Sequence, residues 1–427
     1  MSIKTIKEIS SINSSTYSLK EKRLFINYLD TSNITKNQID EIVRYDDLSE
    51  LPSRAKRIVN NGDIIISTVR PNQLHYGVLK NIPENLLVST GFTTITIDKN
   101  LADNYYVYYY LTQKHITNYL QRVAEGSTTS YPSIKPSDIG EIVINLPSLL
   151  IQRKISKVIR NIEEMIELNK SINNNLEQLS ERIFKEWFLL YNFPNSKNLP
   201  YKDYDGLFKD TKLGEIPEKW DVVKVGKMNL LITDYVANGS FASLKENVTI
   251  LDTDDYAYFI RNTDLKSNVF EKYVDKHSYE FLNKSKLFGD EILISNVGDV
   301  GSIHLCPTLD KPMTLGNNMI MIRSETELKL EYYLYLLLKS EYGAHLLDGI
   351  TGGSVQSKFN KTDFRSLKII MPNNETLKKF NSIIIPIFNQ IKEINNEIKK
   401  LTKLRDTLLP KLMSGEIDVS NINFDLD

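Results

Sequence analysis

Two hydrophobic patterns alternate along the chain, and each occurs twice. The first is a set of short β-branched runs, at 63–69, 93–97 and 141–146, bounded by Gly, Asn and Pro. Such runs predict strands. A tyrosine-rich stretch at 104–125 predicts a helix packed on those strands. The second pattern is a long glycine-free stretch whose apolar residues step alternately by four and three. In its first occurrence these are Ile151, Ile155, Val158, Ile162, Met165, Ile172, Leu176, Leu179 and Ile183, with Asn169 in the one seat that lacks an apolar residue. In its second they are Leu377, Phe380, Ile384, Ile387, Ile391, Ile394, Ile398 and Leu401. Both are sustained heptad seams. Each predicts a helix of about forty residues, or ~60 Å at 1.5 Å per residue. Pro386 predicts a kink or a delayed start in the second helix, while Pro410 and Gly415 read as stop signals. Asn169 has two readings: a polar device that fixes register, or a residue facing solvent where the seam is interrupted.

The patterns recur because the sequence repeats. NGDIIIS (61–67) returns as FGDEILIS (288–295), and NYYVYYYL (104–111) as EYYLYLLL (331–338). GSTTSYPSIKPSDIGEIVINLP (126–147) returns as GSVQSKFNKTDFRSLKIIMP (353–372), and LDTSNI (29–34) as IRNTDL (260–265). The same segments in the same order at nearly constant spacing mean one unit used twice. The expected fold is α+β: two duplicated α/β domains separated by two long helices that pair as an antiparallel coiled coil. That pairing would place the two domains at opposite ends of a rod. The expected boundaries are a first mixed domain at 1–147, a central helix at 148–192, a second mixed domain at 193–371, a distal helix at 372–414 and a tail at 415–427. The Asn-, Pro-, Gly- and Lys-rich segment 191–220 reads as an ordered loop leading into a strand after Trp220.

Composition narrows the chemistry. Lys and Arg number 53 against 54 Asp and Glu, a net charge of -1, so the chain is no nucleic-acid binder by overall basicity. Local basic patches remain open, because field strength depends on where charges sit. Hydrophobic residues are 41% of the 427, a composition that fills a core. The single cysteine, Cys306, excludes an intrachain disulfide and a Cys-based zinc site, and the five histidines are scattered, so no metal is expected. MSIKTIKEIS has no apolar signal region, and the longest apolar run is too short to span a membrane, which points to the cytoplasm. There is no GxxxxGK[ST] phosphate loop, no [DNS]PP[YF] amino-methyltransferase motif and no dinucleotide fingerprint. No catalytic residue is therefore expected in this chain.

LGEIPEKWDVVKVGKM (213–228), FGDEILIS, the junctions INLPSLLIQRKISKVI (144–159) and IIMPNNETLKKFNSII (369–384), and the ending LRDTLLPKLMSGEIDV (404–419) together resemble the specificity subunit of type I restriction–modification systems. The likeness spans essentially the whole chain. The first copy lacks the IPEKW-type opening and starts at once with IKTIKEISSI. The resemblance implies a non-catalytic DNA-reading subunit. Each mixed domain would be a target recognition domain for one half of a bipartite, asymmetric double-stranded DNA sequence, and the helices would set the gap. It also implies partners: two modification subunits that carry S-adenosylmethionine and methylate adenine N6, and restriction subunits, motor–nucleases that use ATP and Mg. A coiled-coil scaffold whose domains bind proteins, and a DNA reader serving an orphan methyltransferase, are the other readings.

Base edges are read by Arg, Lys, Asn and Gln, and phosphate contacts fix register. In the first domain the candidates are Arg54, Lys56 and Arg57 before the Asn61-Gly62 turn; Arg70 and Gln73 after the next strand; and Ser127, Thr128, Thr129 and Tyr131 in the following loop. Their counterparts in the second are Arg261, Asn262, Lys286, Asn296, Ser354, Gln356, Lys358 and Lys361. The loops differ between copies (STVRPNQLHY against SNVGDVGSIH), which would suit two domains reading different half-sites, ordinary loop drift after duplication being the other reading. The helix-pairing candidates are Ile155, Ile162, Asn169, Ile172, Leu176, Ile384, Ile391, Ile394 and Ile398. The tyrosines of 105–110 read as core or partner-facing rather than base-stacking.

Overall fold

The computed structural model describes residues 2–18, 20–21, 23–126, 131–204, 206–353 and 357–422. The chain divides into two compact units, one of residues 1–168 and 398–427 and the other of residues 169–397. Each long helix thus gives one half to each unit.

The first unit has two four-stranded sheets. One has the order Ser10–Ile12, Phe92–Ile97, Ile64–Ser67, Tyr76–Val78; the other Val43–Tyr45, Ile26–Leu29, Leu86–Ser89, Ala55–Ile58. Only Ile26–Leu29 and Leu86–Ser89 run parallel in these sheets. The Ile64–Ser67 strand is buried along its whole length because both of its faces are covered. Strand alternation sends Ile64 and Ile66 toward a core shared with the helices, and Ile65 toward a core shared with the second sheet. The unit is therefore three layers deep: helices, sheet, sheet.

The second unit repeats the plan. Its sheets have the orders Leu230–Asp234, Met319–Ser324, Ile292–Ser295, Ile303–Leu305 and Ile250–Leu251, Tyr273–Val274, Ala257–Ile260, Met313–Leu315, Lys286–Leu287. Ala257–Ile260 and Met313–Leu315 are again the parallel pair. Ile292 and Ile294 face the helical core, and Leu293 faces the inter-sheet core that also holds the buried free thiol of Cys306. The turn before each central strand is built alike. Gly62 and Gly289 have φ of 93° and 104°, which L side chains rarely adopt. Asp63 accepts the Asn60 N–H (2.8 Å), and Glu291 accepts those of Phe288 and Gly289 (2.8 and 2.9 Å).

The different openings of the two copies converge on one pairing. Ser2–Thr5 pairs antiparallel with Val143–Leu146, as Asp221–Lys224 does with Lys368–Met371. The segment before Trp220 holds a small hairpin, Phe208–Thr211 with Gly214–Pro217, that the sequence reading did not find. The tyrosine-rich stretch is two helices, Asn104–Leu111 and Lys114–Glu125, not one. Their tyrosines anchor the layers. Tyr106 Oη donates to Asn145 O (3.2 Å), and its repeat mate Tyr333 donates to Ile370 O (2.5 Å).

The long helices are Leu149–Phe184, which widens into a π turn at Lys185–Leu189, and Asn374–Ser414. In the first unit Ile155 and Ile159 share a core with Leu408, Leu409 and Leu412. In the second unit Leu176, Ile183 and Phe184 share one with Phe380, Ile384 and Ile391. The start of each helix runs beside the end of the other, so the pairing is antiparallel.

Three sequence expectations need correction here. The second helix continues through Pro386 and Pro410 and ends before Gly415, whose φ is 79°. Both prolines are exposed; each removes one backbone bond without breaking a helix held by its buried seam. The seam of the first helix is displaced by one position along part of its length. Met165 and Leu179 are 48% and 45% exposed, while Ile166 and Ser180 are buried, as are Ile155, Ile159 and Ile162. The true seam carries a polar residue, Ser180, at a seat where an apolar-only reading prefers Leu179. Finally, the buried polar pair is not at Asn169. Asn173 is 8% exposed and donates Nδ2 to Asn395 Oδ1 at 2.9 Å, whereas Asn169 is half-buried with its Nδ2 unpartnered. Ile172, Leu176 and Ile398 are half-buried, and Ile162, Ile384, Ile391 and Ile394 buried.

Candidate nucleic-acid interface

In each unit the loop leaving the central strand is stapled to the loop that follows the helical layer. In the first unit Arg70 N donates to Pro132 O (3.0 Å), and Ile134 N donates to Thr68 O (2.8 Å). In the second, Gly298 N donates to Ser357 O (3.0 Å), Phe359 N to Asn296 O (3.1 Å), and Asn296 Nδ2 to Phe359 O (2.9 Å). A shared scaffold thus presents two neighbouring loops, and these are the loops whose sequences diverge between the copies.

In the first unit Arg70, Gln73 and Tyr131 come together on this surface. Arg70 has φ 48°, a strained conformation for an arginine, and its guanidinium lies 5.5 Å from the centroid of the Tyr131 ring. Arg70 and Gln73 are exposed, and Tyr131 is 62% exposed. Ser127, Thr128 and Thr129, with Ser354 and Gln356 of the second copy, lie outside the described residues.

The Arg54–Lys56–Arg57 cluster does not form as one patch. Ala55–Ile58 is a strand with a bulge at Lys56, since Val88 pairs with Arg57 and Ser89 with Ala55, and the three basic residues are not equally buried. Arg57 is half-buried and its Nε is unpartnered. Arg54 is exposed at the rim of a cleft of about 400 Å³ lined by Tyr28, Asp30, Asn33 and Tyr45. Inside that cleft Tyr28 Oη donates to Asp30 (2.6 Å). Burial, helped by this bond, pushes the phenol up to about 12. Burial alone would raise the Asp30 carboxyl, but the bonds from Tyr28, Ser32 and Thr31 outweigh it and hold Asp30 below its ordinary value.

In the second unit most candidates are already engaged. Arg261 Nη2 lies 2.5 Å from Oδ1 of the buried Asp264, and this bond holds the guanidinium above its ordinary value. Lys361 is bound to Asp234 at 2.8 Å, and the Lys286 ammonium lies 4.4 Å from the centroid of the Tyr279 ring. The Asn296 amide is spent on the loop staple, and its Oδ1 is buried without a partner. Lys358 is exposed beside that staple. Asn262 donates Nδ2 to Asp299 Oδ2 (2.7 Å), and its Oδ1 lies 3.0 Å from His304 Nε2. Sequence reasoning missed Asp299 and His304 because a carboxylate and a half-buried histidine are poor first guesses for a DNA contact. The signal was there, since both lie in the divergent SNVGDVGSIH stretch.

The tyrosines of the first repeat serve the core. Tyr109 donates to Glu163 (2.6 Å), Tyr110 to Val143 O (2.7 Å), and Arg160 sits 4.3 Å over Tyr105. Burial pushes the Glu163 carboxyl up, against the Tyr109 hydrogen bond and the Arg405 charge. Among the described residues no group of three or more His, Cys, Asp or Glu is placed to hold a metal ion, and no helix is long and apolar enough to cross a membrane.

This two-unit arrangement can be set against known proteins. Residues 1–178 and 217–403 match the type I restriction modification DNA specificity domain. The chain belongs to that family. As a specificity subunit of a type I restriction–modification system, it leaves catalysis to partner subunits. It is similar to the HindI specificity subunit of Haemophilus influenzae, at 24% identity over 423 residues, covering 87% of this chain and 90% of the relative. It is also similar to the MjaIX specificity subunit of Methanocaldococcus jannaschii, at 28% identity over 377 residues, covering 86% and 80%. In fold, the specificity subunit is similar to the S subunit of the type I system from M. genitalium, with a TM-score of 0.56 and 14% identity over 96% of this chain and 95% of that one.

Proposed function

We propose that each unit reads one half of a bipartite, asymmetric DNA target and that the paired helices set the gap between the halves. The chain would thereby direct adenine-N6 methylation by two modification subunits that carry S-adenosylmethionine. It would likewise direct restriction by ATP- and Mg-dependent motor–nuclease subunits in the cytoplasm. The observation that carries this reading is the repetition of one three-layer scaffold with the same stapled loop pair and different loop sequences. A common frame with divergent loops suits two readers of different sequences better than two copies of one protein-binding surface.

Arg70 with Tyr131, Gln73, Arg54 and Lys358 are the exposed groups best placed to meet phosphates and base edges. The near-zero net charge fits this division, since only local groups need face the duplex. The test is methylome sequencing of a strain with and without the gene. One bipartite adenine-containing motif should lose methylation on deletion; an unchanged methylome overturns the reading.

A further inference from the structure

The second unit carries a polar network with no counterpart among the described residues of the first. His304, on the strand Ile303–Leu305, holds Nε2 3.0 Å from Asn262 Oδ1 and 3.1 Å from Ser302 Oγ. Asn262 Oδ1 can only accept, so His304 Nε2 carries the proton and donates. Asn262 Nδ2 passes the chain on to Asp299 Oδ2 at 2.7 Å, and Lys266 Nζ lies 2.7 Å from the same oxygen. Three segments are tied together: the helix Asn262–Ser267, the loop 296–301 and the edge strand. Burial, and then the nearby Lys266 charge, hold the imidazole below its ordinary value. Lys266 and Asn262 hold the Asp299 carboxyl below its own.

The network ends at the surface. The side chains of Lys266, on the helix, and Asp299, on the loop turned by Gly298 and Gly301 at φ 78° and 84°, are 53% and 50% exposed. In the first unit the position of His304 is taken by Gly77, where a Cβ would meet Ile34 and Asn37 at 2.7 Å. A small hairpin, Ile34–Thr35 with Gln38–Ile39, occupies that space instead. The network is therefore one of the places where the two scaffolds, otherwise alike, are made different.

A carboxylate fixed on a surface loop that meets DNA is repelled by phosphates, and is useful there only as an acceptor. In the major groove the groups that need an acceptor are the cytosine N4 and adenine N6 amino groups. We propose that Asp299 is a base-reading acceptor of the second recognition domain, with Lys266 and Asn262 as positioning residues and His304 behind them. This deepens, and rests on, the reading of each unit as a half-site reader.

The test uses the complex of the full chain with its modification subunit. Methylation is measured on duplexes in which every position of the recognised motif is varied in turn. Asp299→Asn keeps an acceptor for Asn262 and Lys266, so a purely structural staple survives it, but it removes the charge and one acceptor. The expected result is a loss of discrimination of about 5- to 150-fold at one base pair of one half-site, with every position of the other half-site unchanged. Lys266→Met should relax the same base pair to a smaller degree. An Asp299→Asn profile identical to wild type at every position overturns the assignment. So does an Asp299→Ala variant that weakens one half-site evenly while Asp299→Asn has no effect, since that is a loop staple. A wild-type complex that methylates no bipartite motif overturns the half-site reading itself, a result distinct from both.

Discussion

The Asn173–Asn395 pair offers a test of how the long helices choose their register. Asn173 is 8% exposed, donates Nδ2 to Asn395 Oδ1 at 2.9 Å, and leaves its own Oδ1 buried without a partner. In Asn173→Leu the chain loses one neutral hydrogen bond, about 0.5–1.5 kcal/mol, and is relieved of an orphaned carbonyl that costs about 1–3 kcal/mol. Burying the leucine adds about 1.5–3 kcal/mol. Asn395 is exposed and turns to water. The net expectation is a chain more stable by about 1–5.5 kcal/mol, with its register less strongly specified, as when a polar seam residue is replaced in a coiled coil. Urea denaturation followed by far-ultraviolet circular dichroism measures the first effect. Methylome sequencing measures the second, as methylated sites whose half-site gap departs from the wild-type spacing. A variant destabilised by more than 1 kcal/mol would show that the pair contributes net stability and would refute this reasoning.

Further outcomes follow from the same geometry. Arg70→Ala and Lys358→Ala should each weaken DNA binding by the assembled complex and lower the slope of log affinity against log salt by about 0.9; an unchanged slope in both removes these residues from the interface. Arg57→Ala should instead lower stability, because the half-buried side chain loses the packing of its hydrocarbon stem; differential scanning calorimetry with and without DNA separates the two effects. Ile391→Asp puts a charge at a position 7% exposed and should cost the second unit more than about 3 kcal/mol, read as loss of its unfolding transition and of complex assembly. Glu163 has a native pKa above its ordinary value of 4.5, so the unfolded chain releases this proton first. Stability should fall as pH rises from that value through the raised native one, and Glu163→Gln should flatten the fall in pH-dependent urea titrations.

The repeat, the buried strands and the two long helices are legible in the sequence because each is a local periodic pattern. Ile64–Ser67 reads as a strand since every residue in it is buried, and alternate four and three steps cannot form anything but a helical stripe. The candidate loops were equally visible, as stretches that differ between copies otherwise alike. What those loops offer to a partner was decided only in three dimensions. Lys361 is neutralised by Asp234, 127 positions away, and Asn296 is consumed by the Phe359 carbonyl, 63 positions away. Burial of its Nε, not distance in sequence, set Arg57 apart from the exposed Arg54. The seam of the first helix turned by one position because Ser180 and Asn173 are buried where Leu179 and Ile172 read better. A charge or an amide declares its type in the sequence, but whether it is free to act depends on which distant group the fold has set beside it.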